Sequence, residues 1–325
     1  MNTEKLLAAL GPLAAPFQEE AVQEIMIDSP EQVYGMIKGK MTDLDIKFES
    51  PAALRTMIDE VLALMGTTIS KQVPTADVRL PDDSRFVVAV PPTAVNGPYV
   101  VIRKRFSDRL TWEDLLRFGS VDETVIELVD QAISAEKNIL ISGGTASGKT
   151  TVLNLIAARI PQDDRIVAVE DIHFLNINHP RVIYLEANAG QSPMEELIEM
   201  GSRMYPGWLI VNELHGPESL KALELFNAGH AGMGSMHAES GEDALTRLES
   251  YCLMSNMGLA LSDIKRLVAG GIGLLIQVHR LPSGKRRVIE MSEIQGLENG
   301  RYLLQPLLRY NPDGDIFDKI AEPAW

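Results

Sequence analysis

The residues most able to do chemistry lie in one short stretch. The apolar run NILIS at 138–142 is followed at once by GGTASGKTT, which contains the pattern GxxxxGKT from Gly143 to Thr150. Glycines let a chain curl until successive backbone N–H groups point at the same anion, and the positive end of a helix starting near Gly148 adds to that field. Lys149 is placed to bridge the β- and γ-phosphates of a nucleotide as a mobile charge, and the Thr150 hydroxyl to ligate Mg²⁺. Gly143, Gly144, Thr145, Ala146, Ser147, Gly148, Lys149, Thr150 and Thr151 therefore form a candidate nucleotide cradle for ATP or GTP.

A phosphate cradle hydrolyses nothing unless a carboxylate stands near it. WLIVNE at 208–213 supplies one: four apolar residues, Trp208 to Val211, read as a strand buried on both faces that ends in Asn212 and Glu213. In a parallel sheet flanked by helices, ligands bind at the carboxyl ends of the strands, so Glu213 is the candidate to orient or deprotonate an attacking water. RIVAVED at 165–171 ends in Glu170 and Asp171, suited to hold Mg²⁺ through water. GHAGMGSMHA places His230 and His237 seven residues apart, and a neutral imidazole near the terminal phosphate can sense whether ATP or ADP is bound. RKRFSDR at 103–109 carries four positive charges, and Arg103 or Arg105 could neutralise charge on the transferred phosphoryl group. Arg85 and Arg79 are weaker candidates for that task.

These side chains need elements to hold them. Beyond Thr111, apolar runs at 138–142, 165–170, 181–187, 208–213 and 234–238 alternate with helical patterns at 148–160, 193–204, 218–228 and 241–254. That rhythm predicts an α/β fold, a mostly parallel sheet covered by helices. The first hundred residues read instead as a smaller α+β module. EIMID and QVYGMIKGKM make a hairpin, PAALRTMIDEVLALMG a helix capped by Ser50 and stopped by Gly66, and the runs around PDDS and PYVVIRKRF further strands. The expected domains are 1–106 and 107–325, with Thr111 capping the first helix of the second.

Composition narrows the classes. With 45 Asp and Glu against 30 Lys and Arg, the net charge of −15 disfavours a broad nucleic-acid surface. The single cysteine, Cys252, removes any intrachain disulfide and any zinc module built on paired cysteines, which fits a reducing compartment. No run reaches the roughly 18–20 apolar residues of a membrane span, the nearest being GGIGLLIQV at 270–278. The N-terminal LLAALGPLAAPF reads as a helix rather than an export signal.

Taken together, these motifs resemble those of the secretion traffic ATPases, the motors of type IV secretion, conjugative transfer, and type II or type IV pilus systems. GGTASGKTT resembles the family's Walker A, RIVAVED its aspartate box, LIVNEL its Walker B and GHAGMGSMHAESGEDALTRLE its histidine box. EIMIDSPEQVY, RLPDDSRF and VVIRKRF are similar to its N-terminal domain and interdomain arginines, so the likeness covers about residues 20–295. It implies a RecA-like P-loop domain behind a smaller N-terminal domain, closing around Mg-ATP in a homo-hexameric ring. It also implies a cytoplasmic protein peripheral to the inner membrane that works on a secretion or pilus complex; the acidic charge balance adds the expectation of no direct nucleic-acid partner. The lack of a four-cysteine zinc element and the form of GGTASGKTT resemble the conjugative-transfer and tight-adherence pilus branches. Phe174, Gly207, Asn212 and His215 depart from the family pattern, Asn212 standing where glycine usually precedes the glutamate. Those departures bring in one alternative expectation, a nucleotide-binding scaffold that hydrolyses weakly; a nucleic-acid translocase is a further alternative, which the acidic balance disfavours.

Overall fold

A computed structural model of the chain describes residues 3–37, 40–104, 110–187 and 192–325. The chain forms two compact units, Met1–Arg109 and Leu110–Trp325. In the first, helices α1 (Thr3–Leu10) and α2 (Ala14–Gln18) are joined by one 3₁₀ turn and lead into strands β1 (Val22–Ser29), β2 (Gln32–Ile37) and β3 (Lys40–Asp43). The run expected as one strand at 32–41 is thus two, because Lys40–Asp43 folds back to pair antiparallel with β2. Helix α3 (Pro51–Leu64) follows, then strands β4 (Thr75–Arg79), β5 (Arg85–Ala89) and β6 (Tyr99–Arg103). The six strands form one sheet in the order β3-β2-β1-β6-β5-β4.

Local chemistry accounts for α3. The Ser50 side chain accepts from the Ala53 N–H at 3.1 Å, Pro51 occupies the first turn where no N–H is needed, and Gly66 takes φ +70° after the last turn. Leu54, Met57, Ile58, Val61 and Leu62 recur at helical spacing on one face and are buried with Leu6, Leu10, Ile25, Phe86 and Ile102.

The second unit opens with α4 (Trp112–Arg117) and α5 (Glu123–Ser134). Thr111 caps α4 in a reciprocal box with Asp114, since the third helical position is the one whose side chain can reach back to the cap. Then come β7 (Ile139–Gly143), α6 (Lys149–Ala157), β8 (Ile166–Glu170), β9 (Val182–Glu186), α7 (Met194–Ser202) and β10 (Trp208–Asn212). They continue with α8 (Glu218–Asn227), β11 (Ala231–Met236), α9 (Gly241–Met254) and α10 (Leu261–Gly271). Strands β12 (Leu274–Arg280), β13 (Arg286–Glu298), β14 (Arg301–Asn311) and β15 (Ile316–Lys319) complete the chain.

Nine strands make one sheet in the order β15-β14-β13-β12-β7-β11-β10-β8-β9. From β12 to β9 every pairing is parallel, and beyond β12 the strands β13, β14 and β15 add antiparallel ones. Strands β7, β8 and β10 are buried along their whole length, which is why their sequences are apolar without alternation. Their side chains still sort by face. Ile139, Ile141, Ile166, Ala168 and Ile210 pack with Leu128, Leu153 and Ile156 from α5 and α6. Leu140, Val167, Val169, Leu209 and Val211 pack with Ile198, Leu223, Leu248 and Val268 from α7 to α10. No described helix is long and apolar enough to cross a membrane; GGIGLLIQV runs from the end of α10 into β12.

Candidate functional site

Strand β7 delivers the glycine-rich loop at its carboxyl end, and α6 carries the chain away. Gly143 admits no side chain: a Cβ there would lie 2.2 Å from the Val278 carbonyl oxygen and 2.6 Å from Ser147 Oγ. Ala146 at φ +58° and Gly148 at φ +107° complete the curl, and α6 begins directly after Gly148 with no side-chain cap. Its first N–H groups are therefore left for an anion, as a nucleotide phosphate requires. Ser147 Oγ is buried with no hydrogen-bond partner, another polar group awaiting one inside the loop.

Lys149 is 5% exposed, although it is a lysine, and its ammonium donates to the carbonyls of Gly143 at 3.1 Å and Gly144 at 3.0 Å and to His237 Nδ1 at 3.2 Å. Burial lowers its pKa, and the charge of Glu213 opposes that shift. An ammonium only donates, so Nδ1 of His237 is an acceptor and the ring proton sits on Nε2. That nitrogen faces Glu213 Oε1 at 3.6 Å. His237 has its pKa lowered, first by burial and then by Lys149, against the opposing pull of Glu213. Lysine, histidine and glutamate thus stand in line at the mouth of the phosphate loop.

Glu213 occupies a left-handed backbone position, φ +64°, unusual for a residue with a side chain and frequent at functional sites. Several contacts hold it there. Its N–H donates to Ser235 Oγ at 3.0 Å, and its carbonyl accepts from His215 Nδ1 at 2.7 Å. The next turn is clamped by Glu218 Oε1, which accepts from the N–H groups of His215 and Gly216, each at 2.7 Å.

The acids of the β8 end divide sharply. Glu170 is 1% exposed, and its carboxylate accepts from the N–H groups of Phe174 and Leu175 at 2.9 Å, from Asn212 Nδ2 at 3.0 Å and from His173 Nδ1 at 2.6 Å. Asp171 is exposed beside it, and Thr150 is half-buried in the first turn of α6. Among the described residues no three His, Cys, Asp or Glu side chains converge as a metal cluster.

His230, in the same unit, lies away from the loop. His230 precedes β11 and His237 follows it, so the six residues of that strand set them about 20 Å apart. In this fold His230 stands at the opposite edge of the sheet from the phosphate loop, because an extended strand keeps its ends apart. Arg103 belongs to the first unit and pairs with Glu24 at 2.9 Å, Arg85 pairs with Asp77 at 2.6 Å, and Arg79 approaches Asp83 at 4.0 Å. Arg105, and with it most of the basic run, falls outside the described residues.

Three neighbours of the loop were not evident as site residues. Gln277 is buried in β12, accepts from the Ser142 hydroxyl and donates to the Ala238 carbonyl at 3.2 Å, tying together three strand ends. Ser235 is buried in β11 against Asn212 and Glu213. Arg286 donates to the Ala146 carbonyl at 2.9 Å. A lone polar residue inside an apolar strand, as in GLLIQV or GMGSM, is the signal for the first two.

A glycine loop between a buried strand and an uncapped helix, with a lysine inside it and a strand-end glutamate nearby, defines a P-loop nucleoside-triphosphatase fold. A family model for type II/IV secretion system proteins matches residues 8–277, and the chain belongs to that family of secretion ATPases. It is 27% identical over 324 residues to the conjugal transfer protein TrbB of Rhizobium radiobacter, covering 96% of each chain. It is 28% identical over 333 residues to the type IV secretion system protein VirB11 of Bartonella henselae, covering 88% of this chain and 92% of that one. In fold it is similar to the crystal structure of the pilus retraction motor PilT with bound ADP, at TM-score 0.63 and 16% identity over 90% of this chain and 82% of that one. The expected fold, a RecA-like P-loop domain after a smaller α+β domain, is the fold observed.

Proposed function

We propose that this protein is an Mg-ATP-hydrolysing motor that powers secretion, conjugative transfer or pilus assembly. The observation that carries the reading is the line from Lys149 through His237 to Glu213 at the mouth of the uncapped phosphate loop. The family and its named relatives in conjugal transfer and type IV secretion support the same assignment.

Lys149 spends its protons on two loop carbonyls and on His237, and an arriving triphosphate is the stronger acceptor for each of them. When the ammonium turns to the β- and γ-oxygens, His237 loses its donor and its Nδ1 becomes available, so the imidazole registers occupancy of the cradle. Glu213 stands on the far side of that ring, placed to orient or deprotonate water near the terminal phosphate. The loop amides and Lys149 bind the phosphates, and Ser147 and Thr151 finish the cradle. Mg²⁺, when bound, would supply neutralisation of the phosphate charge. The Thr150 hydroxyl, and Asp171 through water, would hold it. The oxygens of Glu170 are filled by protein donors, which suits that residue to fixing the 173–175 turn.

In this reading hydrolysis drives an N-terminal domain, residues 1–106, against an ATPase domain, residues 107–325, in a homo-hexameric ring. Arg103 and Arg105 serve the nucleotide of the same or an adjacent subunit, and the ring docks on the inner-membrane part of a secretion or pilus complex from the cytoplasm. Two measurements test it together: steady-state ATPase activity, and solution mass with and without Mg-ATP. Turnover with a ring-sized mass is expected. Tight nucleotide binding without turnover would leave a scaffold, and turnover that requires added DNA a translocase.

A further inference from the structure

We infer that Asn212 is a positioning residue for Glu213, acting through Ser235; the inference rests on the reading above that Glu213 serves turnover. Asn212 is 2% exposed at the end of β10, the strand between β8 and β11. Its register partner on β8 is Glu170. A carboxylate can only accept, so the 3.0 Å contact to Glu170 must come from the amide nitrogen, Nδ2. The amide oxygen then faces Ser235 on β11 at 2.7 Å and cannot donate, so the serine hydroxyl must give its one proton to Asn212. A lone pair of Oγ is thereby turned toward the Glu213 N–H, 3.0 Å away.

Each direction in this chain is forced by the one before it, starting from Glu170. Glu170 is itself fixed by the N–H groups of Phe174 and Leu175 and by His173. The last bond falls on the peptide that enters the left-handed turn at Glu213, the residue whose φ of +64° most needs holding. A glycine at 212, as the family resemblance leads one to expect, would supply neither amide bond. It would leave a buried serine hydroxyl free to rotate and a buried carboxylate short of a donor. The brace thus orients Glu213 without touching nucleotide. Ser235 sits two residues before His237, so the same bond network borders both ends of the His237–Glu213 contact.

The test uses the full chain with Mg-ATP. Asn212→Asp keeps the shape of the side chain but replaces the donor facing Glu170 with an oxygen, and Ser235→Ala removes the hydroxyl. Each is expected to lower kcat roughly tenfold or more while KM and the affinity for a fluorescent ATP analogue stay within about twofold, the signature of an interaction that matters only to the reacting state. Ser235→Thr, which restores the hydroxyl, should recover most of the loss. The double variant should be no slower than the worse single one, because both break the same chain. If Asn212→Asp does not fold, Asn212→Gly carries the same expectation. Wild-type kcat in Asn212→Asp and Ser235→Ala, beside an inactive Glu213→Gln, would overturn the inference and leave the role of Glu213 standing. A Glu213→Gln protein turning over at the wild-type rate would remove the reading on which the inference rests.

Discussion

The same parallel strands end in two very different edges. At the amino edge, polar groups are spent on backbone: Asn138 accepts from the Gly232 N–H at 2.8 Å and donates to the Phe226 carbonyl at 3.5 Å, and Asn227 donates to the Leu223 and Leu267 carbonyls at 2.7 and 2.8 Å. These bonds close strand and helix ends. At the carboxyl edge, Glu170, Asn212 and Ser235 bond one another, while Lys149, His237 and Glu213 contact each other across an open loop. Positive φ values do not separate the edges, since they occur at Ala146 and Glu213 on this one and at Glu136 and Tyr205 on the other. One edge closes the structure, and the other holds groups that a ligand can rearrange.

Substitutions test that contrast. Glu213→Gln should reduce kcat by about 10² to 10⁴ while ATP still binds, since shape is kept and the base removed; a loss of binding without a specific loss of turnover would place Glu213 on the structural side. Lys149→Ala should weaken ATP binding by roughly 10- to 100-fold, the scale of a lost charge-assisted bond, as read by equilibrium titration. Unchanged affinity would mean that the cradle is elsewhere. Asn138→Ala at the opposite edge should cost about 1–2 kcal/mol in denaturant unfolding by stranding the Gly232 N–H, with kcat within twofold. A large kinetic effect there would erase the distinction between the edges.

The smallest effect concerns pH. His237 has its pKa lowered in the folded chain by burial and by Lys149. Below the ordinary histidine value of about 6.5 the unfolded chain therefore binds the proton first, so stability contributed by the neutral ring is present above that value and lost as pH falls toward the folded pKa. His237→Gln should flatten the loss of thermal stability between about pH 7 and 5. An unaltered slope would show that the ring is not held between its two neighbours.

Much of this was legible from the sequence where the signal is local. GxxxxGKT fixes a strand, a loop and a helix within a dozen residues, and WLIVNE announces its own burial by having no alternation. The brace was not legible as a unit, because Glu170, Asn212 and Ser235 meet only through the strand order β8-β10-β11, which no local pattern specifies. His230 shows the converse. Seven residues from His237 in the chain, it lies a strand length away, since extended backbone turns nearness in sequence into distance. The antiparallel strands after β12 are not legible, because their pairing shifts register at Gln277/Val278, Met291/Ser292 and Ile294/Gly296 and the alternation of apolar residues is interrupted. The roles proposed for Arg103 and Arg105 came from the family resemblance and the position of the basic run.

The strand that carries the phosphate loop is laced on both sides, to β11 along one border and to β12 along the other. Its amides should therefore exchange with solvent deuterium only when the whole unit opens, among the slowest in the chain. In the motor reading, the nucleotide would be gripped beside the most protected strand of its own unit, so that a triphosphate can be cleaved without loosening its anchor.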